Sequence, residues 1–460
     1  MSSYDVIVIG GGPAGLAAAI SAHKEGAHVC LIEREPVLGG ILKQCIHDGF
    51  GLVQFGEKLS GPEYADRFIR EFEELGIEAR TSNFVTEITH NDTFTLKLVS
   101  SSGIDTVEAK SIVLATGCRE RTARQVSIHG TRPAGIFTAG SAQNYINLLG
   151  QQVARKVVIL GSGDIGLIMA RRLTLEGAEV LGVYEVLPVP SGLARNIHQC
   201  LEDFDIPLHL STTVTNVYGT ERVEAVDVAR VDENLKPVPG TEQHIECDTL
   251  IVSVGLIPEN ELAESIGVEI DGRTRGPSCD MNYQTSVPGV FSCGNSFHVY
   301  DLVDYVTDSG IAAGAAAAAY AKGTLEASEH QDVVIPAKKP ITPGTMVCIG
   351  CPKGCEMTVE LVGSEIRVSG NSCPKGEAFA IAEQTNPTRV LCTSVKTAFR
   401  GTPVLPVRTS AEIPKGMLFE AMKVINACTV DRPVKVGDII ISNILGTGAD
   451  VIATANCKGE

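Results

Sequence analysis

Apolar and polar positions near the amino terminus follow a strand–turn–helix–strand order. The continuous apolar run Val6–Ile9 predicts a fully buried parallel strand. A helix is expected to begin near Pro13, because proline suits the first helical turn, and to stop at Gly26. The next run, Val29–Glu33, predicts a second strand that ends on an acid. This order predicts one βαβ unit.

The same pattern returns once, and a different one occupies the carboxyl-terminal part. A second strand–turn–helix begins at Lys156, and its following strand, Val180–Glu185, also ends on an acid. From residue 389 to 457 the pattern predicts short strands and one helix. That helix is entered at Pro414, and its apolar stripe is expected to consist of Met417, Ala421, Val424 and Ile425.

Each predicted βαβ unit carries a glycine fingerprint, G-x-G-x-x-G, at its first turn. In the first unit Gly10 permits the tight turn, Gly12 allows close approach of a pyrophosphate, and Gly15 lets the helix pack on the strand. The helix amino terminus then offers free N–H groups to the phosphates. Glu33 is placed to hold a ribose hydroxyl. The sequence therefore predicts a dinucleotide site.

The second fingerprint consists of Gly161, Gly163 and Gly166, with Glu185 at the end of the next strand. An acid at that position binds the 2′-hydroxyl of NAD and repels the 2′-phosphate of NADP. No arginine follows Glu185 until Arg195. NAD(H) is therefore favoured over NADP(H).

Four of the 14 cysteines form a cluster with the spacing C-x2-C-x3-C-x17-C, namely Cys348, Cys351, Cys355 and Cys373. Three thiolates on one glycine-containing loop and one remote thiolate suit a 4Fe-4S cluster. Structural zinc more often takes two C-x2-C pairs, and it remains the alternative. A linker rich in proline and lysine, residues 336–344, precedes this cluster.

Charge and hydropathy restrict the partners and the location. The net charge is −17, yet residues 346–460 hold 12 basic and 11 acidic side chains, so the acidity belongs to the first 345 residues. The net negative charge of the first 345 residues argues against nucleic acid and anionic membranes as partners, because both are themselves negatively charged. No segment is long and apolar enough to span a membrane, and nothing resembles a signal peptide, so a cytoplasmic location is expected.

From Ser3 to about Lys322 the chain resembles the pyridine-nucleotide:disulfide oxidoreductase superfamily, whose members hold FAD at the amino terminus and NAD(P)H in an inserted domain. Besides the two fingerprints, the resemblance rests on Ile112–Cys118, on Leu250–Pro258 and on Val287–Asn295, where Asn295 replaces the usual aspartate. The segments Gly39–His47 and Arg132–Ile136 resemble flavoprotein subunits of hydrogen-cyanide synthase and of opine or proline dehydrogenases.

The resemblance implies an α/β fold with two nested Rossmann-like dinucleotide-binding domains, followed by a small α+β domain of iron–sulfur type. The expected domains are residues 1–122 with 280–325 for FAD, 123–279 for NAD(H), 326–345 as linker and 346–460 for the cysteine cluster. It implies contacts to FAD from Gly10, Gly12, Pro13, Ala14, Gly15, Glu33, Arg34, Gly40, Val85, Thr116, Gly117, Gly294 and Asn295. Contacts to NAD are expected from Gly161, Gly163, Asp164, Ile165, Gly166, Glu185 and Gly255.

The cysteine pair of the disulfide reductases is missing from this sequence. Only Cys45 follows Gly39-Gly40, and it is either a flavin-side thiol that cycles through a sulfenic acid or a small apolar residue beside the flavin. His47 and His298 are candidate acid–base groups by position. Cys45 and His298 are kept as the catalytic candidates.

Residues 348–376 resemble the cluster-binding segment of molybdopterin oxidoreductases, without the bulk of such an enzyme. The rest resembles a small domain found beside flavoproteins of glycerol-3-phosphate-dehydrogenase type. The leading hypothesis is an FAD-dependent NAD(H) oxidoreductase that exchanges electrons, through a 4Fe-4S cluster, with a partner dehydrogenase or electron carrier. That partner would oxidise glycerol 3-phosphate or a 2-hydroxy acid.

Three alternatives stay open: an NADH oxidase or peroxidase that uses Cys45, the flavin subunit of an amine or opine dehydrogenase, and a zinc-stapled assembly module. The sequence does not determine the oligomeric state.

Overall fold

The computed structural model describes residues 2–333, 345–362 and 365–459. The chain forms two compact units, each of which contains one of the two βαβ patterns. The first takes the described residues of 1–45, 50–119 and 256–335, and the second those of 46–49, 120–255 and 336–460. The linker expected at residues 336–344 lies outside the described residues.

The first unit is built on a seven-stranded sheet. Its strands are Ser2–Ile9, Val29–Ile32, Glu78–Arg80, Phe84–His90, Phe94–Ser100, Gly103–Leu114 and Val290–Ser292. Ser2–Ile9 lies between Val29–Ile32 and Gly103–Leu114 and runs parallel to both. The first strand is longer than the predicted Val6–Ile9, because Ser2–Tyr4 also pair with Val107–Ala109.

Three helices cover this sheet: Pro13–Lys24, Gly61–Glu74 and Val303–Ala321. The first begins at Pro13, as predicted, and the chain then turns at Gly26, where φ is +79°. The alanine-rich third helix packs against the first at very short range, since a Cβ on Gly314 would lie 2.1 Å from the Ala18 carbonyl oxygen. Its small residues thus serve close helix packing, and none of the described helices is long and apolar enough to cross a membrane.

The second unit contains a five-stranded parallel sheet in the order Ile136–Thr138, Thr249–Val252, Lys156–Leu160, Glu179–Tyr184, Leu208–His209. Helices Ala139–Asn147, Asp164–Leu175 and Ala194–Cys200 accompany it. A second sheet is formed by His129–Gly130, Thr212–Tyr218, Ala225–Arg230 and Gln243–Glu246. The strand predicted at Val180–Glu185 is displaced by one residue, so that Glu185 follows it.

The carboxyl-terminal residues of this unit form two larger sheets and one short strand pair, Thr388–Arg389 with Ile413–Pro414. Met346–Val347, Glu356–Val362 and Glu365–Ser369 make a small antiparallel sheet that is followed by helix Pro374–Thr385. The other sheet has the order Thr429–Val430, Cys392–Thr397, Val404–Thr409, Val451–Ala453, Ile439–Ile441, and helix Leu418–Ala427 packs on it.

The predicted apolar stripe of that last helix is partly wrong. Ala421 and Ile425 are buried, but Val424 is 37% exposed and Met417 precedes the helix. The buried face consists of Leu418, Ala421, Met422 and Ile425. The residues of the buried face are also spaced three and four positions apart, so spacing alone does not distinguish them from the predicted stripe. Contact with the sheet decides which face of the helix is buried.

Candidate functional site

The first glycine turn has the geometry that its sequence predicts. Gly10 has a φ of +111°, and a Cβ on Gly15 would lie 1.8 Å from the Gly10 carbonyl oxygen. Gly12 precedes the helix, which no side chain among the described residues caps, and it faces Gly40. A side chain at Gly40 would come within 2.8 Å of the Gly12 Cα. Backbone N–H groups at this turn are therefore accessible to an anionic group.

Glu33 lies at the end of the second strand and turns its carboxylate back to the glycine turn. It accepts a hydrogen bond from the Gly11 N–H at 2.6 Å and another from the Glu35 N–H at 2.8 Å. It is buried, whereas the neighbouring Arg34 is exposed. The acid that was expected to hold a ribose is thus fixed beside the turn.

The remaining first-unit candidates lie in the loops after Gly103–Leu114 and Val290–Ser292 and in a nearby strand. Thr116 donates to the Glu259 carbonyl at 2.8 Å, and Gly117 has a φ of +75°. The Gly294 N–H donates to Ser309 Oγ at 2.9 Å, which joins this loop to helix Val303–Ala321. The side chain of Val85 is buried in the sheet core.

Asn295 is held by its own loop. Its Oδ1 accepts from the Tyr300 N–H at 3.1 Å, and its Nδ2 lies 3.6 Å from Cys118 Sγ. Nothing in the sequence connects Cys118 with Asn295, since 177 positions separate them.

The second glycine turn repeats the first. Gly161 has a φ of +99°, a Cβ on Gly166 would lie 2.7 Å from the Gly161 carbonyl oxygen, and Gly163 precedes helix Asp164–Leu175. Gly255, in the loop after strand Thr249–Val252, has a φ of +101°. Ile165 lies partly buried in the first helical turn.

Glu185 is engaged by more donors than Glu33. Its Oε2 accepts from the Ser162 N–H at 3.0 Å, from Ser162 Oγ at 2.6 Å and from Ser191 Oγ at 2.9 Å. Its Oε1 accepts from the Leu187 N–H at 3.0 Å. A ribose hydroxyl that binds Glu185 must share this carboxylate with, or displace, serine hydroxyls of the chain.

The loop after Glu185 packs closely on the second glycine turn. A Cβ on Gly192 would lie 2.7 Å from the Ser162 carbonyl oxygen. Asp164 accepts from the Leu193 N–H and from Asn196 Nδ2, both at 2.8 Å. The carboxylate of Asp164 is therefore turned to this loop.

The structure brings the four clustered cysteines into one region. Cys348 is buried, Cys351 and Cys355 are partly buried, and Cys373 is exposed directly before helix Pro374–Thr385. The Cys348 N–H donates to the Cys355 carbonyl at 2.9 Å, which closes the loop. Burial raises the pKa of Cys348, and the charges of the other three cysteines raise it further.

The spacing of these sulfurs bears on the kind of metal site. Among the described residues, the group whose three ligand atoms all lie within 4.8 Å of one another is His198, Asp203 and Glu383, and it contains no cysteine. A zinc–sulfur distance of about 2.3 Å sets a tetrahedral edge of about 3.8 Å. No three of the described cysteine sulfurs lie within 4.8 Å of one another.

The His198, Asp203 and Glu383 group is a salt-bridge network that the sequence did not reveal. Arg389 donates to both oxygens of Asp203, at 2.6 and 2.8 Å, and to both oxygens of Glu383, at 2.8 and 2.7 Å. Lys415 lies 2.9 Å from Asp203. Since cationic side chains already compensate both carboxylates, the group has no need of a metal ion.

A model of the family described as pyridine nucleotide-disulphide oxidoreductase matches residues 4–319. The chain belongs to this family. It is therefore an FAD-dependent oxidoreductase of α/β fold, and the family supports FAD and a nicotinamide nucleotide as its cofactors. Residues 374–455 match a second family, described as a protein of unknown function (DUF1667).

Individual relatives agree with this assignment. The chain is 28% identical to hydrogen cyanide synthase subunit HcnB of Pseudomonas protegens over 64% of its own length and 66% of that protein. It is 30% identical to sarcosine oxidase subunit alpha of a Corynebacterium species over 55% of its length, but over only 26% of that protein. Thioredoxin reductase of T. acidophilum has the same fold, with a TM-score of 0.56, 22% identity and coverage of 70% of this chain and 99% of that one.

This family member lacks a paired redox disulfide in the described part of the chain, where all 14 cysteines are free. Burial raises the pKa of Cys45 to about 12. Burial also lowers the pKa of His47 to about 4 and lowers the pKa of His298. Near neutral pH Cys45 is therefore a thiol and both histidines are uncharged, so neither histidine is poised as a cationic acid.

Proposed function

We propose that this flavoprotein exchanges electrons between NAD(H) and a partner protein by way of FAD and a 4Fe-4S cluster held by Cys348, Cys351, Cys355 and Cys373. The observation that carries the proposal is the C-x2-C-x3-C-x17-C set in the same unit as the second glycine turn, with its loop closed by the hydrogen bond from the Cys348 N–H to the Cys355 carbonyl. When bound, FAD would accept two electrons together, as a hydride, and would release them one at a time. It could therefore connect the two-electron chemistry of a nicotinamide with the one-electron chemistry of an iron–sulfur cluster.

The first glycine turn would hold FAD. The gap between Gly12 and Gly40, which a Cβ on Gly40 would fill, fits a pyrophosphate that approaches the backbone. Glu33 is fixed beside it to receive ribose hydroxyls. Gly117, Gly294 and Asn295 would meet the ribityl chain and the ring, with Asn295 as an uncharged hydrogen-bond partner.

The second turn would hold NAD(H) in preference to NADP(H). Glu185 is buried beside the turn, so a 2′-phosphate would meet its carboxylate. Arg195, the first arginine after it, faces Gly49 and so is not directed at this carboxylate. The serine hydroxyls on Glu185 would rotate away when a ribose takes their place.

The cysteine loop packs against the start of helix Ala194–Cys200, since a Cβ on Gly354 would lie 3.5 Å from the Ala194 Cβ. Helix Pro374–Thr385, which follows Cys373, is joined to the nucleotide-binding region because Arg389 binds both Glu383 on this helix and Asp203. The chain thereby fixes both ends of the ligand set to the nucleotide-binding region of this unit.

The decisive experiment is an anaerobic visible spectrum of the purified protein before and after addition of NADH, with iron and sulfide determined on the same sample. We expect flavin bands above a broad iron–sulfur absorbance, both bleached by NADH. A colourless protein, or a flavin spectrum that NADH leaves unchanged, would contradict the proposal.

A second candidate function is that of a flavin subunit which oxidises a small substrate directly within a larger complex. Hydrogen cyanide synthase HcnB and sarcosine oxidase alpha are both named as subunits. The donors already on Glu185, and the close packing of Gly192 on the turn, favour this alternative. It predicts flavin that a partner's substrate reduces and NADH does not.

A further inference from the structure

Two arginines of the second unit are buried and form no ion pair among the described residues. Arg171, on helix Asp164–Leu175, is 8% exposed, and Arg195, on helix Ala194–Cys200, is 4% exposed. The Nε of each is buried and has no hydrogen-bond partner among the described residues. Arg171 Nη2 donates to the Val390 carbonyl at 2.9 Å, and none of the ion pairs found in the described chain includes either guanidinium.

The same unit pairs its other buried arginines with carboxylates. Arg172, the neighbour of Arg171, forms an ion pair with Glu176, and Arg389 is bidentate to both Asp203 and Glu383. Burial of a charge without a counter-charge is strongly unfavourable. The unpaired state of Arg171 and Arg195 is therefore an exception within this unit.

The two guanidinium groups have electrostatic effects on the same residues. Arg195 lies against Gly49, where an added Cβ would come within 2.9 Å of Nη2 and 3.1 Å of Nη1. Burial lowers the pKa of His47, and both Arg195 and Arg171 lower it further. Burial raises the pKa of Cys200, and the same two arginines oppose that rise. Both guanidinium groups thus act on His47 and Cys200, where the carboxylates of Asp48, Asp164 and Asp203 act in the opposite sense.

Two of the nearby carboxylates, those of Asp164 and Asp203, have donors other than these two arginines. Asp164 is engaged by the Leu193 N–H and Asn196, and Asp203 by Arg389 and Lys415. Gly49 has a φ of +113°, and the Arg195 guanidinium packs directly on its backbone, in the place that a side chain would occupy. A planar guanidinium presents paired donors that match a carboxylate or a phosphate.

We propose that Arg171 and Arg195 form a binding site for the anionic group of a small carboxylate or phosphate ligand. The ligand would supply the negative charge that no described carboxylate provides to either arginine as an ion pair. The two arginines would bind it from two different helices. His47 and Gly49, which flank this site, follow Cys45 by two and four residues in the chain. The electron relay proposed above does not require this site.

The main alternative source of negative charge for these arginines is the proposed cysteine-bound cluster. A Cβ on Gly354 would lie 3.7 Å from the Arg195 backbone nitrogen, so the cysteine loop contacts the main chain of this residue. The guanidinium end of the side chain, however, faces Gly49. The two assignments predict different consequences of removing the charge.

The test measures the melting temperature and ligand binding of the full-length protein in low-salt buffer free of phosphate and carboxylates. Inorganic phosphate, glycerol 3-phosphate and lactate are titrated separately, which distinguishes a phosphate from a carboxylate ligand. We expect at least one of them to raise the melting temperature saturably. Arg195→Met should weaken its binding at least tenfold and leave the ligand-free melting temperature unchanged or higher, because an unpaired buried charge is lost.

Arg195→Lys, which keeps the charge but loses the fork, should bind with intermediate affinity. Arg230→Met removes an exposed charge from the same unit and should change neither quantity. If no anion stabilises the wild type, or if Arg195→Met lowers the ligand-free melting temperature or the iron content, the proposal is overturned. Neither readout requires flavin reduction, so this result is separable from failure of the electron relay.

Discussion

Single carboxylates and thiols determine the chemistry that each nucleotide turn can support. Glu33 and Glu185 occupy equivalent positions, each accepting a hydrogen bond from the N–H inside its own glycine turn. They differ in that Ser162 and Ser191 hydroxyls also donate to Glu185. The first acid retains free acceptor capacity for a ribose, whereas the second must exchange partners.

Glu185→Gln tests the nucleotide preference of the second turn. Loss of the negative charge should weaken NADH binding about tenfold, equivalent to about 1.4 kcal/mol, and should reduce discrimination against NADPH. The dissociation constants of both nucleotides from flavin reduction traces provide the measurement. Glu179→Gln, at an exposed position of the preceding strand, is the control and should leave both constants unchanged. Unchanged NADH binding in Glu185→Gln would argue that this turn does not use the carboxylate.

Cys45→Ser tests whether a flavin-side thiol takes part in turnover. Since burial raises the pKa of Cys45 to about 12, thiolate is scarce near neutral pH, and we expect NADH-dependent reduction of an artificial acceptor to stay within about twofold of wild type. Alkylation of Cys45 by iodoacetamide should also remain slow between pH 6 and pH 9. Loss of activity in this variant, with flavin content intact, would restore the peroxidase alternative.

At the level of elements, helix Pro374–Thr385 is joined to the nucleotide-binding region by a buried ionic contact. Glu383 on this helix and Asp203 after helix Ala194–Cys200 are both held by Arg389, whose side chain is 2% exposed. The helix begins directly after Cys373, so the same contact restrains the fourth cysteine of the cluster.

Arg389→Gln should destabilise the second unit by about 3 kcal/mol, because two buried carboxylates lose their counter-charge. Thermal or urea unfolding measures this change. Lys423→Gln, which breaks an exposed pair with Glu420, should cost less than about 0.5 kcal/mol. Equal effects of the two substitutions would show that the Arg389 network contributes no more than a surface pair.

The same network predicts how stability depends on pH. Burial opposes the charge on Glu383, but Arg389 and His198 outweigh it and lower its pKa to about 2, so its contribution is lost as pH falls from about 4.5 toward 2. Burial opposes the charge on His198, but Glu202 and Glu383 outweigh it and raise its pKa to about 9. Its contribution is complete below about pH 6.5 and is lost as pH rises through 9. His198→Gln should therefore destabilise at pH 6 and have little effect at pH 10, as melting temperatures would show.

At the scale of the whole molecule, the proposed relay separates flavin reduction from cluster reduction. Cys355→Ser should abolish most of the bound iron and the reduction of one-electron acceptors, while NADH still bleaches the flavin. Iron analysis and stopped-flow spectra measure the two steps, and Cys428→Ser, outside the cluster, should leave both unchanged. Full acceptor activity in an iron-free Cys355→Ser protein would contradict the relay.

The sequence predicted the fold class, the family and the oxidoreductase activity, and the comparisons confirm all three. Local signals were sufficient for this, because a strand, a glycine turn and a helix are specified by residues within about 30 positions of one another. The division into domains, the nucleotide contacts and the cluster ligands stay predictions. Boundaries were less accurate, as Val424 and the strand before Glu185 show, since contact with neighbouring elements decides them.

By itself, then, the sequence determined where the chain can turn sharply, at Gly10 and Gly161. It also determined that four cysteines occur at a spacing typical of a metal site. Only the tertiary structure decided which buried charges are compensated. Arg389 meets Asp203 across 186 positions, whereas Arg195, also buried, packs on Gly49 and forms no ion pair in the described part of the chain. Backbone geometry is a local property of the sequence, but the charge state and partners of a buried side chain depend on segments that only folding brings together.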